Sequence, residues 1–373
     1  MRLVVFGGWF GSMNLGDDAI LIGLRNVLGR AMPGVELVAL STDPEYTERV
    51  CGVEAVKLRS SRSLVRNREE YLRVFEEADG CVVSGGTPIY DYGHLSRAIH
   101  MALPAIKGKP LVFFCVGAKP LSSFKGREVM RLLLRGASLI STRDAPSRGI
   151  LTQLTRTPIV VTGDSALHME QVTPDKPSEN VALICPRHLS LDHTRSYHQP
   201  LTSSEINKTR HMVAKAADHL ISRGYTVRFA PFHTVPPDDD RIEITRVLNL
   251  MKSEDAETLP RPASPEAALR LTAEAGLVVG LRLHSLILSG LSGTPVASVG
   301  YDIKIEGFMR LAGVSRYLCH VQDGLDALNA RVDHLITDHV EVRRTLAENV
   351  EMMRRRISSE SLKVARLYSG RRP

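Results

Sequence analysis

Two side chains of unlike chemistry stand two positions apart in the run Gly280-Leu281-Arg282-Leu283-His284-Ser285-Leu286. An apolar strand-like stretch ends there and an apolar helical one begins at once. The backbone N–H groups of such a helix start, with the positive end of its dipole, favour an anion. Arg282 adds a fixed charge whose fork suits phosphate or carboxylate, and His284 adds a group that changes charge near neutral pH. The chemistry implied is an anion held by Arg282 while His284 moves protons. Pro186-Arg187-His188 offers a second arginine directly after an apolar run. Tyr301, Asp302 and Lys304 follow another buried run and place a further cation at a strand end. His188, His193 and His198 are spaced by five, which does not put them on one helical face, so no metal site is read from them.

Three turns in the first half carry polar groups in the same kind of place. The run from Gly7-Gly8 to Asn14-Leu15-Gly16-Asp17-Asp18 is a long strand-to-helix loop. Its glycines let backbone approach a ligand, and Asp17 or Asp18 is expected to cap a helix starting near Ala19. The spacing is not that of a dinucleotide fingerprint. Ser84-Gly85-Gly86-Thr87-Pro88-Ile89-Tyr90-Asp91 combines paired glycines with hydroxyl, phenol and carboxylate groups, which suit sugar hydroxyls. Arg143 either binds an anion or pairs with Asp144 or Asp164; the ion pair is the favoured reading. Asp164 is expected to cap a short turn at 165–167.

These turns need rigid elements behind them. Apolar runs at 3–6, 36–40, 80–84, 111–116 and 138–141 read as buried parallel strands, alternating with helical patterns at 18–30, 66–78 and 125–135. The polar, proline-bearing stretch 171–180 reads as a linker. Alternation restarts with strands at 181–185, 226–230, 277–280 and 295–299, and helices at 204–223, 239–251, 265–275 and 284–291. The chain ends in a helical pattern from 325 to 367. This predicts an α/β protein of two Rossmann-like doubly wound domains, at 1–172 and 180–324, with a C-terminal helical extension at 325–373. Such domains bind ligands outside the carboxyl ends of their strands.

Composition narrows the class. A chain of 373 residues accommodates two cores, and 43% hydrophobic residues fit a packed globular protein. No apolar run is long enough for a membrane span, and the N-terminal apolar run is too short for a signal core, so cytoplasmic residence is the expectation. The 48 basic and 41 acidic side chains leave a net charge of +7, which suits anionic ligands. Basic stretches lack interleaved aromatics, so nucleic acid is not expected as a partner. Arg354-Arg355-Arg356 and Arg371-Arg372 leave room for peripheral contact with an anionic membrane. Five cysteines with no CxxC pair read as buried reduced thiols.

Taken in order, the motifs resemble those of the polysaccharide pyruvyl transferase family. Gly11-x-x-Asn14-Leu15-Gly16-Asp17-Asp18-Ala19 is similar to the loop that opens these proteins. Gly85-Gly86 with Asp91, Arg143-Asp144, Asp164, Arg282-Leu283-His284-Ser285, Gly293-Thr294-Pro295 and Tyr301-Asp302-x-Lys304 fall in the family's order. The resemblance implies a fold similar to GT-B glycosyltransferases. It implies transfer of the pyruvyl carbons of phosphoenolpyruvate to a sugar, giving a pyruvate ketal and phosphate. On that reading Arg282, Arg187, His284, Ser285 and Lys304 meet the donor. Asn14, Asp17, Gly85, Gly86, Asp91 and Arg143 meet a sugar or lipid-linked glycan acceptor. His284, Arg282 and Asp17 are catalytic, and neither metal nor organic cofactor is called for. The sequence departs from the family where a third glycine would follow Gly86, since Thr87 stands there. Two other readings stay open. One is a nucleotide-sugar glycosyltransferase with Glu306 on the ribose; the other is a non-catalytic anion-binding scaffold.

Overall fold

The structure, a computed structural model, describes residues 1–58, 68–90, 108–172, 178–191 and 200–369. The chain divides into two compact units. The first comprises Met1–Ser12, Asp17–Met169 and Met353–Pro373; the second comprises Met13–Gly16 and Glu170–Met352.

The first unit is built on a seven-stranded parallel sheet. Its strands are β1 (Arg2–Gly7), β2 (Glu36–Ser41), β3 (Glu54–Lys57), β4 (Gly80–Ser84), β5 (Leu111–Val116), β6 (Ala137–Thr142) and β7 (Ile159–Val161), in spatial order β3-β2-β1-β4-β5-β6-β7. Between them run α1 (Leu15–Ala31), α2 (Pro44–Cys51), α3 (Arg68–Glu77), α4 (Phe124–Arg135) and α5 (Ala145–Leu151). Parallel strands covered on both faces are apolar throughout, which is why β4 and β5 are buried at every position. Phe6, Phe75, Val83, Phe113 and Leu134 form part of the core on one face. The short strands β3 and β7 lie at the sheet's edges and are half exposed, so no apolar run announced them.

The second unit carries a six-stranded sheet: β8 (Ser178–Cys185), β9 (Thr226–Phe229), β10 (Ala256–Thr258), β11 (Ala275–Gly280), β12 (Val296–Gly300) and β13 (Leu318–His320). Their order is β10-β9-β8-β11-β12-β13, the doubly wound arrangement again. Its helices are α6 (Ser203–Ser222), α7 (Asp240–Leu248), α8 (Pro265–Glu274), α9 (Leu283–Ser292), α10 (Ile303–Leu311) and α11 (Ala327–Thr337). Ser178 already belongs to β8, and residues 173–177 of the expected linker lie outside the described ones.

The C-terminal helical stretch is two helices, α11 and the 31-residue α12 (His339–Ser369). From Met353 onward α12 belongs to the first unit. There the Met353 side chain covers Gly163, the Arg354 carbonyl lies 3.0 Å from His168 Nε2, and Tyr368 lies against Gly80. Arg355 and Arg356 are exposed, whereas Arg371 and Arg372 fall outside the described residues. Among the described residues no helix is long and apolar enough to cross a membrane.

Candidate functional site

In a doubly wound sheet the crevice opens where adjacent strands send their connections to opposite faces. In the second unit those strands are β8 and β11. Their carboxyl ends carry Arg187-His188 and Arg282-Leu283-His284, so the two arginine motifs, about a hundred residues apart in sequence, converge at one edge.

Arg282 is buried at this edge and is held by carboxylates. Its Nε donates to both oxygens of Asp240 at 2.9 Å, and Nη2 donates to Asp240 Oδ1 at 2.6 Å. Nη1 donates to Asp238 Oδ2 at 3.0 Å, and Nη2 also reaches the Asp238 carbonyl at 3.0 Å. A guanidinium has five N–H groups, so these contacts leave one Nη1 N–H for a ligand. Burial works against the Arg282 charge, but Asp240 and Asp238 outweigh it and raise its pKa above the ordinary arginine value.

Asp240 does more than neutralise. Fully buried, it accepts from the backbone N–H of His188 at 3.2 Å and from those of Phe232 and His233 at 3.0 Å. One carboxylate therefore ties the loops after β8 and β9 to the arginine after β11. Sequence reasoning missed Asp238 and Asp240. Asp238-Asp239-Asp240 before a helical pattern reads as a helix cap, and Asp239 is indeed the N-cap of α7. The signal for a buried role would have been that a run of three acids exceeds what one cap needs, with an arginine at another strand end in want of a partner.

Arg187 stands at the same edge. Its Nη1 donates to the Tyr301 hydroxyl at 3.4 Å, and Nη2 lies 3.8 Å from Asp238 Oδ2. Burial raises the Tyr301 pKa, partly opposed by Arg187, and the phenol donates to the Leu281 carbonyl. Lys304 Nζ lies 3.6 Å from Asp302, which also caps α10. Ser285 is fully buried and its hydroxyl donates to the Arg282 carbonyl at 2.7 Å, so its donor is directed at backbone. His188 Nδ1 lies 3.6 Å from buried Glu243, which Arg210 grips with Nε and Nη2 at 2.7 and 3.1 Å. His193 and His198 lie outside the described residues. Among those described, no group of acids, histidines and cysteines is arranged to hold a metal ion.

His284 stands in the first turn of α9, whose N-cap, Arg282, makes no side-chain capping bond. Its imidazole lies directly over Gly16: a β-carbon on Gly16 would come within 2.1 Å of His284 Nδ1. The segment around Gly16 is pinned in the second unit. Asn14 forms a backbone bridge with His233, Leu15 N donates to the Phe232 carbonyl at 3.3 Å, and Arg261 Nε donates to the Met13 carbonyl at 3.1 Å. Asn14 Oδ1 accepts from the Gly16 N–H at 3.2 Å, which tightens the turn into α1. Asn14 and Gly16 thus support the histidine's surroundings.

In the first unit the equivalent crevice lies at the ends of β1 and β4. Helix α1 begins at Leu15 rather than near Ala19, because the Asn14 side chain closes the turn first. Asp17 and Asp18 therefore do not cap it but lie in its first turn. Asp17 Oδ1 accepts from the Gly86 N–H at 3.2 Å, and Asp18 Oδ2 accepts from the Tyr46 hydroxyl at 2.9 Å. Gly85 has φ +150°, and a β-carbon there would meet the Gly8 nitrogen at 2.4 Å, so the two glycine turns touch. Arg143 is buried and donates to Asp144 Oδ2 at 3.1 Å and to Thr87 Oγ1 at 3.2 Å, with Asp164 3.8 Å away. The expected ion pair is present. Asp164 also caps the 3₁₀ turn Ser165–His168. Asp17, Gly85, Gly86 and Arg143 are brought together; Asp91 lies outside the described residues.

With both edges in view, comparison with known proteins adds the family. The sequence profile of polysaccharide pyruvyl transferases matches residues 14–303. The amylovoran biosynthesis protein AmsJ of Erwinia amylovora is 22% identical over 312 residues, 76% of this chain and 73% of that protein. Among solved structures, a glycosyltransferase from Rickettsia africae superposes with a TM-score of 0.63 at 10% identity, covering 100% of this chain and 99% of that one. A UDP-GlcNAc 2-epimerase from Neisseria meningitidis bound to UDP-GlcNAc gives 0.62 at 12% identity, covering 98% and 100%. At such identities these structures establish the fold, which is GT-B-like. The family match spans the Asn14-Leu15-Gly16-Asp17 segment, the Gly85-Gly86 turn and both arginine motifs: the chain belongs to the polysaccharide pyruvyl transferase family.

Proposed function

We propose that this protein transfers the pyruvyl group of phosphoenolpyruvate to two hydroxyls of a glycan sugar, forming a cyclic ketal and releasing phosphate. The observation that carries this reading is the seat of His284. It stands at the start of a helix without a side-chain cap, directly after the arginine-bearing end of β11, the strand beside β8, with its ring over the glycine of the Asn14-Leu15-Gly16-Asp17 motif.

Phosphoenolpyruvate carries a carboxylate and a phosphate close together, which calls for several positive groups in a poorly hydrated place. Arg187, Lys304, the remaining Arg282 N–H and the N-terminus of α9 supply them. Because four of the five Arg282 N–H groups are engaged by Asp238 and Asp240, its main task on this reading is to fix this edge, and Arg187, 3.8 Å from Asp238, is assigned as the anion ligand. Protonation of the enol methylene makes C2 electrophilic. A sugar hydroxyl adds there, the C2–O bond to phosphate breaks, and the second hydroxyl closes the ketal. Of the two hydroxyl protons, one ends on the methyl carbon and the other leaves with phosphate. His284 delivers the first and collects the next. Asp17, with Gly86 and Arg143, serves the acceptor.

The test is incubation with phosphoenolpyruvate and the deacylated glycan fraction of the producing cell. Equimolar phosphate and a new ketal methyl resonance are expected, and His284→Ala should abolish both while the protein stays folded. Nucleoside diphosphate released from a nucleotide sugar, with phosphoenolpyruvate inert, would replace this reading with the glycosyltransferase one. That reading draws on the shared fold. Full ketal formation by His284→Ala would remove the histidine from the mechanism.

A further inference from the structure

The positive charge of this chain is unevenly placed. Residues 122–158 hold seven basic and two acidic side chains, against a net charge of +7 for all 373 residues. Arg143 and Asp144 are buried together, so Glu128 is the one acid left to offset six cations. Helix α4 arranges three of them as a ladder: Arg127, Arg131 and Arg135 recur every fourth residue and share one flank. Arg135 by itself would be an ordinary answer to the dipole at a helix C-terminus. Arg156, however, comes from another segment, the loop between α5 and β7, and lines the same pocket of about 580 Å³ as Arg131 and Arg135. Thr152 and Gln153 add polar groups to its wall. Glu128 pairs with Arg131, whereas Arg127, Arg135, Arg148 and Arg156 meet no carboxylate among the described residues. The connections from α4 into β6 and from α5 into β7 enter those strands at their amino ends. The pocket therefore lies at the opposite end of this sheet from Arg143 and Gly86 and is no part of the crevice described above.

Beside the cations, α4 leaves two large apolar side chains in solvent: Phe124 is 76% exposed and Leu132 70%. The rest of its apolar surface, with Met130, Leu133 and Leu134, is buried. A helix that shows a cationic flank together with bare aromatic and aliphatic side chains fits a surface of anionic headgroups over an apolar layer. A soluble polyanion would satisfy the arginines and leave Phe124 and Leu132 in water. An apolar patch on a partner protein would cover those two and leave the arginines without counter-charge. We infer that the outer face of α4, with Arg156 beside it, docks on an anionic membrane. Phospholipid phosphates occupy the pocket of Arg131, Arg135 and Arg156, and Phe124 and Leu132 enter the headgroup boundary. This surface is distinct from the C-terminal arginines of α12, and the inference requires no step of the pyruvyl transfer.

Flotation of the full chain with lipid vesicles tests the surface without any reaction. With phosphatidylcholine vesicles containing about a third phosphatidylglycerol, the chain should float at low salt and be released as salt screens the charges. With phosphatidylcholine alone it should not float. Arg135→Gln combined with Arg156→Gln should weaken partitioning about 30-fold, the factor expected for two cations at an anionic surface. Phe124→Ser combined with Leu132→Ser should weaken it by about 10-fold or more and leave the salt dependence in place. All four side chains are exposed, so both double variants should keep a urea midpoint close to that of the wild type. Arg355→Glu combined with Arg356→Glu, on α12, should float as the wild type does. Equal flotation with neutral vesicles, wild-type flotation of either α4 variant, or loss of flotation in the α12 variant would each overturn the surface. Capture of dextran sulfate by a chain that ignores the vesicles would assign the pocket to a soluble polyanion and overturn it as well.

Discussion

Gly16→Ala is the most direct probe of the proposed chemistry, because it touches neither a charge nor a hydrogen-bonding side chain. The new β-carbon would lie 2.1 Å from His284 Nδ1, 2.6 Å from Cγ and 2.8 Å from Cε1. Ordinary contacts begin near 3.4 Å, so the ring or the loop must move by more than about 1 Å, enough to cost roughly 100-fold where proton transfer depends on position. Stability should respond much less. Overpacking costs about 1–3 kcal/mol, and alanine's helical preference over glycine in α1 returns up to about 1 kcal/mol. A net loss of about 0–3 kcal/mol is expected. In the His284→Ala background the clash disappears, so Gly16→Ala should be neutral or slightly stabilising there; that difference is the coupling. The measurements are kcat for phosphate release and urea unfolding of the four proteins of the cycle. Wild-type kcat in Gly16→Ala, with the same stability change in both backgrounds, would refute the contact and its importance together.

Other changes separate structural from chemical roles. Asp240→Asn leaves the buried Arg282 with half its compensation and should destabilise by about 3–5 kcal/mol in urea unfolding, whatever its effect on activity. A change below 1 kcal/mol would show that Asp240 does not hold the three strand ends. Arg187→Ala should raise the KM for phosphoenolpyruvate by about 10- to 100-fold with little loss of stability, as expected for a charge-assisted contact to an anion. An unaltered KM would move the anion elsewhere. All five cysteines are buried, and burial raises the thiol pKa of Cys81, Cys115, Cys185 and Cys319, the last to about 12. The native protein should therefore show no fast-reacting thiol with Ellman's reagent at pH 8. A raised folded pKa means that the stability contributed by keeping Cys319 protonated is complete below its unfolded value of about 8.5. It is lost as pH climbs towards about 12, so a Cys319→Ala variant of matched neutral stability should lose less stability in alkali than the wild type.

Much of the fold was legible because its central strands are covered on both faces. β1, β2, β4, β5, β6, β8, β11 and β12 are apolar runs that need no partner to be recognised, while β9 shows as alternation, with Val227 and Phe229 buried and Arg228 half-buried. The edge strands β3, β7, β10 and β13 are short and partly exposed, so their sequences carry no such run. Helices α2, α5 and α10 were passed over for a related reason: they are seven to nine residues long, and each starts behind an aspartate cap that also reads as a turn. At the site the same contrast holds. Arg187, Arg282 and His284 announced themselves as polar residues breaking apolar strands. Asp240 did not, because its partners come from three other segments and a run of acids before a helix looks like a cap. The role of Gly16 was equally hidden, since a glycine's reason is the side chain that occupies its missing β-carbon.

The carboxylates around Arg282 alter how the motif is understood. An arginine at a strand end suggests direct grip on an anion, yet four of its five N–H groups are engaged by Asp238 and Asp240. A buried pair of this kind is weak evidence for stability by itself, because desolvation offsets much of the attraction. Its value here is positional. Asp240 joins His188, Phe232 and His233 to Arg282, and Arg282 sets the N-terminus of α9, where His284 is displayed. On this reading the net attraction for a dianion comes from Arg187, which lies 3.8 Å from Asp238 and donates to Tyr301, and from the helix terminus itself. Arg282→Lys distinguishes the two roles. An ammonium keeps the charge but cannot bridge two carboxylates and a carbonyl in one plane. If Arg282 acts by position, the lysine variant should lose kcat, and stability with it, while the phosphoenolpyruvate KM changes little. If it grips the donor directly, KM should carry most of the loss.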